Sequence, residues 1–153
     1  MRAKELKGFM LKEDPEVPSD DPRAERINNF AQWAGKILKV KNLPVVKLSL
    51  DTEEAQGNHH TGGYMPGSDH IWCYAKNRNL VDMMRTVFHE LVHVRQHELD
   101  MIKPGDSYPG SPIEVMADVL AGKYIKIYGE ANPTIFEDSV ADDWKNFLSE
   151  KRK

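Results

Sequence analysis

Leu80, Met83, Met84, Val87, Leu91 and Val94 recur at the spacing that gathers side chains on one side of an α-helix. The pattern predicts a helix from about Asn79 to Leu99, with Asn79 as N-cap and Asp82 in the first turn, near the positive end of the helix dipole. Upstream, Asp21-Pro22 opens another helix that runs to about Val40. Its buried face is Ile27, Phe30, Ala34, Ile37 and Leu38, with Trp33 beside it in the core. Asn42-Leu43-Pro44 breaks the chain, and the β-branched, apolar run Val45 to Leu50 reads as a strand.

Asp51 to Gly67 is rich in glycine and reads as a loop holding a short strand around Gly63–Tyr64. His70 to Tyr74 is a further strand. Asp100 to Gly110 is a loop, after which Ser111 as N-cap and Pro112 as first residue start a helix through Tyr128. Asn132-Pro133 opens a last helix whose inward stripe is Ile135, Phe136, Val140, Trp144, Phe147 and Leu148. Residues 1–20 read as an extended arm, acidic and proline-rich from Glu13. The predicted class is α+β: a small, mostly antiparallel sheet of about three strands beside about four helices, in a single domain over residues 1–153.

The chemistry lies on the polar side of the Asn79–Leu99 helix. His89 and His93 are four residues apart, so one turn stacks both imidazoles where they reach a single ion, and Glu90 between them is placed to hold a water on that ion. They fall opposite the middle of the apolar stripe, beside Asp82, Thr86 and Gln96, so the helix buries one side and presents the histidines to a cleft. Three protein ligands plus water make a catalytic zinc centre. Glu114, on the next helix, is the candidate third ligand. The alternative is a capping box with Ser111, since Ser-x-x-Glu needs no metal. That helix is apolar on most sides, and two carboxylates on a buried face, Glu114 and Asp118, need strong partners. A metal ion for Glu114 and a ligand imidazole N–H for Asp118 supply them.

His-Glu-x-x-His at 89–93, followed by Glu-x-x-x-Asp at 114–118, resembles the gluzincin branch of the zincin metallopeptidases. The form Glu114-x-x-Ala117-Asp118-x-x-Ala121 is similar to the small bacterial and phage ImmA/IrrE-like peptidases. The likeness spans about Leu80 to Tyr128. It implies a minimal zincin fold, with His89, His93 and Glu114 as ligands to one Zn2+, Glu90 as general base, and Asp118 as partner of a ligand histidine. It also implies that the His70–Tyr74 strand forms the rim of the cleft and holds an extended peptide substrate by edge-strand pairing. The metzincin pattern does not fit, because its glycine and third histidine fall on Gln96 and Leu99. No Gly-x-Met-x-Asn aminopeptidase motif stands upstream.

Tyr64, His70 and Tyr108 are candidate donors to a reacting oxyanion. His59 and His60 read as solvated loop residues, with the same role as the sharper alternative. His97 is rotated off the metal axis, at the cleft edge or surface, and Cys73 reads as a small buried hydrophobe.

Composition narrows the setting. Among 153 residues, 40% are hydrophobic and 29% charged, as in an ordinary globular domain. A net charge of −3 gives no electrostatic case for nucleic acid. One cysteine rules out an internal disulfide, and no segment reads as a signal peptide or membrane span, so the expected location is cytoplasmic, in a phage-infected host included. A monomer is the default. The expected activity is zinc-dependent hydrolysis of internal peptide bonds. Two other readings use the same residues. One is a binding or regulatory module whose zinc is closed off by His97 or a loop histidine; the other is an amidase for a non-peptide amide.

Overall fold

The computed structural model describes residues 21–50, 61–106 and 108–136. In order they form α1 (Pro22–Leu38), β1 (Val45–Ser49), β2 (Gly62–Tyr64), β3 (His70–Tyr74), α2 (Leu80–Glu98) and α3 (Pro112–Ala131). A further helical turn begins at Thr134. The class is α+β. The 1–20 arm, His59 and His60, and the stripe residues Val140, Trp144, Phe147 and Leu148 lie outside the described residues.

Each long helix starts where its capping residue dictates. Asp21, Asn79 and Ser111 have extended backbones, and their side chains accept from the N–H of Arg23, Asp82 and Glu114. Pro22 and Pro112 occupy first-turn positions that need no N–H. Helix α1 ends at Lys39, in the left-handed region at φ 61°, whose N–H bonds back to Lys36.

The sheet has the order β1-β3-β2, so β3 is its centre. It pairs parallel to β1, with Val46 opposite Ile71 and Leu48 opposite Cys73, and antiparallel to β2. The sheet is therefore mixed, not mostly antiparallel. The connection from β1 places β2 on the far side of β3, which leaves β1 and β3 pointing the same way. This also corrects the expected rim: β3 spends both its edges on neighbours, and β1 and β2 are the outer strands of the sheet.

Helix α2 runs through the middle of the molecule, against α1, α3 and the sheet. All six residues of its predicted stripe are buried, and Phe88 and Val92 widen the buried side toward α3. Rings tie the three helices together. Phe30 meets Tyr128 edge-on at 4.9 Å, Trp33 lies 4.9 Å from Tyr128, and Phe88 stacks on Tyr124 at 5.4 Å. Trp33 is half-buried against this core. Truncating the fully buried Phe30 to alanine costs about 3–5 kcal/mol, a large share of the ~5–15 kcal/mol that holds a domain folded.

Candidate metal centre

The ring stack sets α3 alongside α2, and that packing delivers the first turn of α3 to the polar side of α2. His89, His93 and Glu114 meet there, in an arrangement that could hold a metal ion. His89 Nε2 lies 3.0 Å from Glu114 Oε1, His93 Nε2 lies 3.1 Å from Glu114 Oε2, and the two Nε2 atoms are 3.1 Å apart. Glu114 takes part in the helix cap and also faces the two imidazoles. Its backbone N–H donates to Ser111 Oγ at 3.3 Å, but the Ser111 N–H donates to the Tyr108 carbonyl. The box lacks its return leg, and the carboxylate is turned to the imidazoles instead.

The remaining ring nitrogens decide where the protons sit. His89 Nδ1 is 2.8 Å from Asp118 Oδ1, and His93 Nδ1 is 2.8 Å from Gln96 Oε1. The Gln96 amide orientation is assigned from its other end, where Nε2 donates to the Ile113 carbonyl at 3.2 Å and faces Met116 Sδ at 3.5 Å. Both Nδ1 partners are then acceptors, so in the neutral form of each ring Nδ1 carries the proton and Nε2 keeps its lone pair. With both rings neutral, two imidazole lone pairs and a carboxylate converge at hydrogen-bond distance. A proton relieves one such contact; a metal ion relieves all three at once.

Glu90 lies on the buried side of this group, 9% exposed. Burial pushes its carboxyl above the usual range; His89 and His93 pull it down, and Glu114 pushes it up. A cleft of about 230 Å³ opens over these residues, lined also by Gly62, Gly63, Tyr64, Pro66, Ile102 and Ile113. Strand β2 therefore forms one wall. It can sit so close to α2 because residue 62 is glycine: a Cβ there would lie 2.3 Å from Thr86 Cγ2 and 3.7 Å from Glu90 Cγ.

Of the expected oxyanion donors, Tyr64 lines the cleft, and its hydroxyl accepts from the Gly67 N–H at 3.1 Å. His70 does not line it: on β3 its ring turns to Ser68 and Asp69. Tyr108 is 53% exposed and serves the turn into α3 through its backbone. His97 stands outside the ligand group, exposed, with its ring 6.5 Å from that of Tyr64. Cys73 is buried and belongs to the core.

Two further points differ from the sequence reading. Asp118 is not on a buried face: its side chain is 75% exposed, and Val115, Met116 and Val119 beside it also face outward. The burial argument for that carboxylate fails, although the partner it named is present. Gln96 received no role, and it holds the second imidazole. Its signal was the three-residue step from His93, which puts a polar side chain one turn along from the ring.

Compared with known proteins, the chain matches no family model, no curated protein and no solved structure. Among the described residues no helix is long and apolar enough to cross a membrane.

Proposed function

We propose that this chain is a zinc-dependent metallopeptidase that hydrolyses internal peptide bonds. The observation that carries the reading is the convergence of two imidazoles, each with Nδ1 against a side-chain oxygen, and a carboxylate beside a buried glutamate in an open cleft. Nitrogen and oxygen donors bound to a tetrahedral zinc at ~2.0–2.2 Å stand roughly 3.3–3.6 Å apart, slightly wider than the 3.0–3.1 Å separations here. Zinc in this group supplies a Lewis acid and a water acidified toward neutrality.

The chain's own residues do the rest. Glu90 takes the proton from the attacking water and gives it to the leaving amine, and its desolvated carboxyl suits both halves of that exchange. Asp118 and Gln96 hold the two rings with their Nε2 atoms forward. Strand β2, an outer strand along the cleft wall with no further strand beside it among the described residues, offers its free edge to an extended substrate.

The test is a set of variants with metal content and cleavage measured separately. Glu90→Gln is expected to keep one equivalent of zinc and lose cleavage by several orders of magnitude. His89→Ala and Glu114→Ala are expected to lose the metal. Wild-type cleavage by Glu90→Gln rejects the mechanism. Stoichiometric zinc with no hydrolysis of any peptide in a broad library assigns the cleft to binding instead.

A further inference from the structure

We infer that Gln96 is the positioning residue that ties the third ligand to the second: one amide fixes both the ring of His93 and the turn of α3 that carries Glu114. The inference rests on the metal-centre reading above. Gln96 is 1% exposed, so its amide cannot turn to water for partners, and both of its ends are used. Oε1 accepts from His93 Nδ1 at 2.8 Å. Nε2 donates to the carbonyl of Ile113, the residue immediately before Glu114, at 3.2 Å, and lies 3.5 Å from Met116 Sδ in the same turn.

The two ends are chemically linked. Were the amide reversed, its NH2 would face the Nδ1 proton and its oxygen would face the Ile113 carbonyl, two repulsive contacts in a dry site. The Ile113 carbonyl therefore sets which end reaches His93, and through it which nitrogen of His93 is left for the metal. His89 is served differently, by an exposed carboxylate that lies on α3 itself. Gln96 is the inner of the two supports and ties α2 to α3 through a backbone carbonyl rather than a side chain.

The experiment uses the full chain, with zinc affinity read by competition with a chromophoric chelator and His93 observed by 15N NMR. In wild type, zinc-loaded protein shows a His93 Nδ1 proton protected from solvent exchange. Gln96→Met keeps the buried volume but removes the acceptor; it is expected to lose that proton signal and about 10–100-fold in zinc affinity. Gln96→Glu keeps an acceptor for Nδ1 but sets an oxygen against the Ile113 carbonyl, so it is expected to retain the proton signal and still lose zinc affinity, which separates the tie to α3 from the hold on the ring. Wild-type zinc affinity in either variant overturns the inference. So does a zinc-loaded wild type whose His93 Nδ1 carries no protected proton, a result that needs no variant to fold. Wild type that binds no zinc rejects the metal-centre reading itself and the inference with it.

Discussion

Asp118 Oδ1 sits 2.8 Å from His89 Nδ1 although 75% of the Asp118 side chain is exposed to solvent. A carboxylate so open to water keeps a good hydrogen bond only because its position is fixed, one turn along α3 from Glu114. Its value lies in orienting the ring rather than in net ion-pair energy, since exposed pairs contribute little. Asp118→Ala is expected to weaken zinc binding by about 10–100-fold, while Asp118→Asn, which keeps an acceptor, loses less. Chelator competition on the two variants checks this. Equal losses would show that charge, and not orientation, is what Asp118 supplies.

Gly62 makes a prediction of the opposite kind, in which adding one methyl does harm. The Cβ of Gly62→Ala would meet Thr86 Cγ2 at 2.3 Å and the backbone oxygen of Trp72 at 3.2 Å. The threonine methyl belongs to a stiff β-branched side chain whose hydroxyl is held by Arg78 at 2.8 Å. The strand must move away from the helix, at a cost of about 1–3 kcal/mol, and the cleft wall moves with it. On the proposed function, zinc content is expected to stay near one equivalent, because His89, His93 and Glu114 all lie on α2 and α3, while kcat/KM falls at least tenfold. A Gly62→Ala variant with wild-type kinetics and thermal midpoint would remove β2 from the proposed site.

The helix ends and the group that could hold a metal ion were legible because each is written locally. Asn79, Ser111 and Asp21 mark their own helices, and the four-residue step from His89 to His93 has one geometric meaning on a helix. The sheet order was not legible, because a three-residue strand such as Gly62–Tyr64 carries no signal for the side of β3 on which it pairs. The rim was misplaced for that reason. Burial predicts a role for Asp118, but its exposure contradicts that ground, so proximity to His89, not desolvation, is what its position reports. Gln96 shows the remaining limit. Its spacing from His93 was visible, but its second partner is a backbone carbonyl on another helix, and sequence does not display carbonyls.

Cys73 tests the packing between the sheet and α2. It is fully buried on the inner face of β3, opposite Leu48, with Arg78 Nη1 3.7 Å from its sulfur. Burial pushes the thiol up to about 12, against a smaller pull from Arg78. At pH 8 the thiolate is on the order of 1 in 10,000 of the population. Native protein is expected to leave an aromatic disulfide reagent unreacted over minutes, and denatured protein to release one equivalent, matching the single cysteine. Rapid reaction of the native thiol would mean that the β3–α2 contact opens readily.

Asp21, through Arg23, ties the start of α1 to the turn before α2. It accepts from the Arg23 N–H at 2.8 Å and from its guanidinium at 3.0 Å, and the same guanidinium donates to the carbonyls of Ala75 and Arg78 at 2.8 and 3.2 Å. The side-chain bond from Arg23 is the main reason the Asp21 carboxyl is held below its ordinary value of 3.8, outweighing the opposing effect of burial. A carboxylate with a depressed folded-state pKa contributes stability that is complete above its unfolded value and is lost as pH falls through the folded one. Asp21→Ala is therefore expected to cost about 0.5–2 kcal/mol at pH 7, a drop of roughly 2–4 °C in thermal midpoint for each kcal/mol in a chain of this size. The gap between wild type and variant should begin to close only below about pH 4 and continue closing past the usual carboxylate range. Thermal melts of both proteins from pH 7 to pH 2.5 measure it. A gap unchanged at the acid end would mean that the cap works through its neutral geometry, and that the charge pairing with Arg23 adds nothing.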